Sequence, residues 1–278
     1  NSEGTLLAPV SITKIPVVLI IAGSGPTDRN GNNPMMTNNS LKMLAEGLLA
    51  KGIASVRYDK RGIGKSKLAG VQESNLRFEN YIEDAEAWVE LLKKDPGFSD
   101  LIIIGHSEGA LIGTITAQKE SVKKFISIAG AGVTAGEILR EQLKAQPPAV
   151  LNQALPIIEK LENGQTVDNV PKILYSLFRP SVQPYMISWF KYNPQNEMSK
   201  LSKPVLIIQG TTDIQVSVAD ADKLANANKN AKKVVIEGMN HVLKHAAMDR
   251  QKNIQTYSNP DLPLKEDLLD AIITFIKE

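Results

Sequence analysis

Three residues in this 278-residue chain combine the types and spacing needed for covalent chemistry: Ser107, Asp213 and His241, each just beyond an apolar run. Ser107 stands in Gly105-His106-Ser107-Glu108-Gly109, directly after Leu101-Ile102-Ile103-Ile104 and before the small-residue stretch 110–118. Strand, tight turn and helix in that succession form a nucleophile elbow. The turn strains the serine backbone and brings strand and helix so close that side chains at Gly105 and Gly109 would collide, which leaves the hydroxyl projecting. Asp213 follows 205–209 (VLIIQ), and His241 follows Val234-Val235-Ile236. A serine hydroxyl is a weak nucleophile until a base takes its proton, and an imidazole does so best when a carboxylate fixes its tautomer. The order Ser, Asp, His therefore predicts acyl transfer with Ser107 as nucleophile, His241 as base and Asp213 as orienting acid.

The competitors for these roles are few. Among the 3 histidines, His106 adjoins the nucleophile on a turn that points neighbouring side chains apart, so it is expected to pack or bond within the fold. His245 lies four residues after His241, the spacing of a helical metal pair, but no third ligand accompanies it and no metal or other cofactor is expected. Asp220 and Asp222 rival Asp213 and fall in a polar helical segment, where they are expected to be solvated. Acyl transfer also needs donors aimed at the developing oxyanion. The backbone N–H of Glu108, at the helix start, supplies one, and the turn Gly23-Ser24-Gly25 supplies the other through Ser24. The side chain of Glu108 is a carboxylate beside that site and calls for a partner that the sequence does not name.

The elements that must position these residues alternate. Short strands are expected at 5–7 and, weakly, 11–15. Apolar strands at 17–22, 53–58, 101–104, 124–128, 205–209 and 234–236 interleave with helices at 40–51, 78–94, 110–118, 219–226 and 264–276. Nearly continuous apolar strands separated by helices imply a parallel sheet covered on both faces, with ligands bound beyond the carboxyl ends of the strands. The polar loop 27–39 has no periodicity and is expected to be functional or mobile. The segment 59–66 (DKRGIGKS) contains glycines but lacks the spacing of a phosphate cradle, so no nucleotide is expected. Between 133 and 200 no strand-like run occurs, and helical patterns break at Pro147-Pro148, Pro156, Pro171, Pro180, Pro184 and Pro194. That stretch reads as a helical lid inserted between the sixth and seventh strands, with 1–132 and 201–278 forming the catalytic domain. Most of the lid's apolar residues pack it against the body, and the remainder line a substrate pocket.

Composition narrows the class. Hydrophobic residues make up 42% and charged residues 22%, with a net charge of +2, which gives no reason to expect nucleic acid or a membrane surface as partner. No apolar run reaches the roughly 20 residues that span a bilayer. With 0 cysteines there is no disulfide framework and no thiolate nucleophile. The chain starts at Asn1, so the compartment is left open between cytoplasm and, if a leader was removed, periplasm or exterior.

Taken together, GHSEG, AGSGPTDRNGNNP, RYDKRGIGKS, QGTTDIQV and GMNHVLK resemble the bacterial EstD-type carboxylesterases of the α/β-hydrolase superfamily, over nearly the whole chain. SGPTDRNG is the most discriminating of these motifs. The resemblance implies an α/β-hydrolase fold and a small-molecule ester of short to medium acyl length as substrate. It matches Ser107, Asp213 and His241 to the catalytic triad and Ser24 with Glu108 to the oxyanion hole. The superfamily usually opens with two extra antiparallel strands, of which the first is expected to be missing or trimmed here. A serine peptidase or arylesterase of the same fold, or a ligand-binding protein that keeps the fold without turnover, are the competing expectations. The sequence leaves the oligomeric state open.

Overall fold

A computed structural model describes residues 2–67 and 72–278. In chain order it contains β1 (Gly4–Leu7), β2 (Ile15–Ile21), α1 (Ser40–Ala50), β3 (Ala54–Tyr58), α2 (Phe78–Lys93), β4 (Phe98–His106), α3 (Glu108–Thr116) and β5 (Val122–Ile128). There follow α4 (Ala135–Leu143), α5 (Pro148–Glu162), α6 (Tyr175–Phe178), α7 (Gln183–Phe190) and α8 (Pro194–Ser199). The chain then returns through β6 (Val205–Gly210), α9 (Val218–Ala227), β7 (Ala231–Ile236), α10 (Arg250–Gln255) and α11 (Glu266–Lys277). The seven strands form one sheet in the order β1-β3-β2-β4-β5-β6-β7. β1 runs antiparallel to β3, and every other pairing is parallel.

Strand alternation sorts the apolar residues onto two faces. Val17, Leu19, Ile103, Phe125, Val205 and Ile207 point to one side, where Phe78 and Val89 of α2, Ile112 of α3 and Leu224 of α9 cover them. Val18, Ile20, Ile102, Ile104, Ile126 and Ile208 point to the other, under Leu44 and Leu48 of α1 and Leu268 and Ile272 of α11. Both faces are thus dry, as the unbroken apolar strands predict. β7 is the exception: it closes the sheet edge, and its Lys232 and Lys233 are exposed.

The helical insertion carries a core of its own, with Leu139, Ile157, Ile158, Leu161, Phe178 and Phe190 buried. It lies between the fifth and sixth strands, not the sixth and seventh, because the expected strand at 11–15 does not form separately and only Ile15 joins β2. The prolines act largely as punctuation: Pro148 and Pro194 open α5 and α8, positions where a missing N–H costs nothing. Pro156 does not break its helix. α5 runs through it, held by burial of Ala154, Ile157, Ile158 and Leu161 on the face toward the insertion core.

The loop 27–39, expected to be functional or mobile, is held by side chains, which argues against mobility. Asp28 accepts the N–H groups of Asn30 and Asn32 at 2.8 and 3.0 Å, and Asn32 Oδ1 accepts those of Asn38 and Asn39 at 2.9 and 2.8 Å. Arg29, buried, reaches Asp59 at 2.8 Å. Asp59 in turn accepts the Arg29 and Lys65 N–H groups at 2.7 and 2.9 Å and so organises the 59–66 turn from within. Burial works against the Asp59 charge, but these donors and the Arg29 guanidinium outweigh it and hold the carboxyl below the usual carboxylate range.

Candidate active site

Strand order reverses about β2 and β4, and their carboxyl ends open the crevice where ligands bind in such sheets. Ser107 sits there, between β4 and α3, with φ 55° and ψ −121°, a region that costs a non-glycine residue about 1–3 kcal/mol. What imposes that conformation is the closeness of the elements. A Cβ on Gly105 would stand 2.2 Å from Gly109 O, and one on Gly109 would stand 2.3 Å from Ile21 O. The Ser107 N–H is anchored sideways on Ile128 O at 2.9 Å.

Asp213 and His241 reach Ser107 from neighbouring strand ends. His241 Nε2 lies 3.2 Å from Ser107 Oγ, and its Nδ1 lies 2.8 Å from Asp213 Oδ2. Asp213 is almost wholly buried, with 1% of its side chain exposed. Its Oδ1 accepts the Gln215 and Val216 N–H groups at 2.8 and 3.1 Å, and its Oδ2 also accepts Gln209 Nε2 at 3.1 Å. Burial pushes this carboxyl up, yet the facing imidazole and the N–H donors outweigh it, so it sits below the usual carboxylate range and stays ionised. An acceptor at Nδ1 fixes the tautomer with hydrogen on Nδ1, which leaves Nε2 free to take the Ser107 proton.

The backbone of the His241 turn is fixed from below. His106 Nε2 donates to His241 O at 2.8 Å, and burial with the neighbouring His241 lowers the His106 pKa to about 4, so it is a neutral donor. His106 bonds within the fold, as its position on the elbow suggests. Asn253 of α10, an element without a clear sequence signal, ties the Asp213 and His241 loops together through Thr212 O at 2.7 Å and Asn240 Nδ2 at 3.1 Å. His245 is exposed and pairs in a short antiparallel bridge with Met239, so no helical turn relates it to His241. Among the described residues no group of three or more His, Cys, Asp or Glu side chains is placed to hold a metal.

The two rivals of Asp213 are occupied elsewhere. Asp222 pairs with Lys233 at the surface. Asp220 is not solvated as expected: it is buried, caps α9 through Ser217 Oγ at 2.6 Å and accepts the Gly132 N–H at 3.0 Å. Its carboxylate satisfies an orphan helix N–H end and a crossing loop at once.

Ser24 and Glu108 line the same cavity as Ser107, with Ser24 at the end of β2 and Glu108 as the first residue of α3. The partner that Glu108 requires comes from two elements. Lys60 Nζ, from the turn after β3, lies 2.9 Å from Glu108 Oε1, and Tyr185 OH, from α7, donates to Oε2 at 2.5 Å. Both charged side chains are buried, at 1% and 2% exposure. Burial and Glu108 together push the Tyr185 phenol well up, so it remains a donor. Lys60, Tyr185 and Gln209 escaped sequence reasoning; a lysine two residues past a strand's carboxyl end, between Asp59 and Arg61, was the available signal.

The cavity measures about 660 Å³ and lies between the strand ends and the insertion. Leu111, Ile138, Leu139, Leu177, Met186 and Trp189 give it an apolar wall. Its charged lining residues are tied in pairs: Arg61 with Asp84 at 2.6 and 3.1 Å, Arg179 bidentate with Glu73, and Glu108 with Lys60. Among the described residues no helix is long and apolar enough to cross a membrane.

Known proteins resemble this chain to different extents. The chain is 28% identical over 248 residues to esterase EstD of Thermotoga maritima, covering 86% of this chain and 57% of that protein. It thus spans little more than half the length of that curated relative. Among solved structures, ferulic acid-bound Est1E from Butyrivibrio proteoclasticus superimposes with a TM-score of 0.65 at 20% identity, covering 100% of this chain and 96% of that one. The malate-bound esterase from Thermogutta terrifontis does so with a TM-score of 0.61 at 16% identity, covering 99% and 93%. At those identities the likeness carries the fold. Residues 37–175, half of the chain, match the family Hydrolase_4, described as serine aminopeptidase, S33; the protein belongs to that family and has the α/β-hydrolase fold.

Proposed function

We propose that the protein is a serine carboxylesterase that cleaves uncharged esters of short to medium acyl length through an acyl-enzyme. The observation that carries this reading is the hydrogen-bonded line Ser107–His241–Asp213 opening into an apolar cavity whose lining charges are already paired. Ser107 Oγ attacks the ester carbonyl as His241 Nε2 takes its proton. The Ser24 and Glu108 N–H groups hold the oxyanion, His241 returns the proton to the departing alcohol, and water repeats the sequence to release the acid. Residues 133–200 serve as the lid over the site, with α7 lending Met186 and Trp189 to the acyl wall.

The family's name raises an aminopeptidase as second reading, and the relative's name favours an esterase. An aminopeptidase must hold a free α-ammonium, which calls for an available carboxylate near the nucleophile. Both lining carboxylates are engaged: Glu73 with Arg179 and Ser181, Glu108 with Lys60 and Tyr185. That favours uncharged esters. The test is a fluorophosphonate probe mapped by mass spectrometry, with turnover of p-nitrophenyl acyl esters compared with aminoacyl anilides. Labelling at Ser107 that is lost in Ser107→Ala, with esters preferred, is the expected result. A preference for aminoacyl anilides would support the peptidase, and no labelling of folded protein would overturn both in favour of a binding protein.

A further inference from the structure

Lys60 does more than neutralise Glu108. Its Nζ also donates to Gly23 O at 2.5 Å and sits 4.9 Å from the centre of the Tyr81 ring. Gly23 O belongs to the peptide unit whose N–H is that of Ser24. In a trans peptide the C=O and N–H point in opposite directions, so a cation seated on the oxygen aims the N–H away from itself. Ser24 N–H has no protein acceptor among the described residues, and Ser24 lines the cavity beside Ser107. The same peptide lies hard against the nucleophile: a Cβ on Gly23 would stand 3.1 Å from Ser107 Cβ. The second oxyanion donor is the Glu108 N–H, and Lys60 holds that residue's side chain as well.

We infer that Lys60 is a positioning residue for the oxyanion site: its buried ammonium orients and polarises the Gly23–Ser24 peptide and cancels the Glu108 charge beside the second donor. This rests on the acyl-transfer reading of the site. The physical argument has three steps. Hydrogen bonds in series polarise one another, so an ammonium on the carbonyl makes the N–H across the same amide a stronger donor. A peptide fixed before the reaction needs no reorganisation as negative charge develops, which is where such sites derive their effect. An unpaired Glu108 carboxylate at low dielectric would oppose that charge, and Lys60 with Tyr185 OH removes the opposition.

A lysine that merely filled space would affect stability and leave the transition state alone, so the test reads both. The variants are Glu108→Gln, Lys60→Met, and the pair Lys60→Met/Glu108→Gln, which leaves no uncompensated buried charge. For each, thermal melting, kcat and KM on an ester, the rate of fluorophosphonate addition at Ser107 and inhibition by phenylboronic acid are measured. Glu108→Gln is the reference for the double variant, because it removes the carboxylate while keeping the backbone N–H and the Lys60 contact with Gly23 O. The double variant is expected to melt cooperatively and keep KM within about threefold. Its kcat, phosphonylation rate and boronate affinity should fall together by about ten- to a hundredfold, somewhat less than loss of a whole oxyanion donor. Lys60→Met alone should fall further, because Glu108 is left unpaired. A double variant within twofold of wild type in kcat and phosphonylation overturns the inference. If the methionine variants do not fold, Lys60→Gln/Glu108→Gln, which keeps a neutral donor on Gly23 O, takes their place. It should lie below wild type by at least threefold in the same rates, and equality with wild type overturns the inference again. Phosphonylation keeps the two claims apart. A wild type labelled at Ser107 but inert toward esters overturns the ester reading and leaves the phosphonylation comparison to decide Lys60; a wild type not labelled at all overturns both.

Discussion

Replacing Asp213 by Asn removes one charge with almost no change of shape, so the response of the site is set by the hydrogen bonds around that side chain. Oδ1 faces the N–H groups of Gln215 and Val216, which cannot turn over, so the asparagine oxygen must take that side. Its NH2 then faces His241 Nδ1 and Gln209. Gln209 can give up this contact, since its Nε2 already donates to Val216 O at 2.9 Å. The imidazole can accommodate the NH2 only by moving its proton to Nε2, and that turns the nitrogen facing Ser107 Oγ from acceptor to donor. The base is then in the wrong tautomer, and the imidazolium has lost its counter-charge. The expected loss in kcat is about 10⁴-fold, or about 5 kcal/mol of barrier, with KM little changed. Stability should move by no more than about 1–2 kcal/mol, a melting shift of about 2–4 °C for a chain of this size. Ester kinetics and melting on Asp213→Asn are compared with the same change at Asp220, the buried cap of α9. Asp220→Asn should cost about 1–3 kcal/mol of stability and leave kcat within about twofold. An Asp213→Asn enzyme within tenfold of wild type, or an Asp220→Asn enzyme with the larger kinetic loss, would refute the tautomer argument.

Two further predictions concern stability. His106 has its pKa lowered to about 4 by burial and by His241, so between pH 6.5 and 4 the unfolded chain binds a proton that the folded chain refuses. The contribution is fully present above pH 6.5 and about 3 kcal/mol of it is lost as the pH falls to 4, at 1.36 kcal/mol per pH unit. Melting temperature followed across that range should slope downward toward acid in wild type and distinctly less in His106→Gln; equal slopes would disprove the assignment. Gly109→Ala would drive a methyl to 2.3 Å from Ile21 O and 2.6 Å from Ala22 O, both backbone atoms. The expected cost is more than about 3 kcal/mol, and a melting point lowered by less than about 3 °C would show that the elbow tolerates separation of α3 from β2.

The order of strands and helices was legible because the central strands are buried on both faces and the helices that cover them carry an apolar stripe, as at 17–21 against 40–50. The elbow was legible because two glycines flanking a serine have a steric reason that needs only strand and helix as context. Strand bounds failed where a single residue decided them: 11–15 contains Ile12 and Ile15, but Ile12 is fully exposed and only Ile15 pairs, which moved the insertion by one strand in the count. α10 was missed because RQKNIQ has one buried residue, Asn253, and a polar anchor leaves no periodic trace.

The sequence by itself determined the alternation of elements, the steric necessity of glycines around Ser107 and the placing of Ser107, Asp213 and His241 each just past an apolar strand, because these follow from local sterics and from burial periodicity. Tertiary structure alone decided what the passed-over carboxylate does, since Asp220, expected to be solvated, is buried on Ser217 and the Gly132 N–H. It decided that Glu108 is paired, and with Lys60 48 residues and Tyr185 77 residues away in the chain. Hydrogen bonds and ion pairs of that separation depend on where the sheet brings its strand ends and where the insertion folds back. No periodicity records that, because a single polar contact constrains one residue and not a repeating pattern.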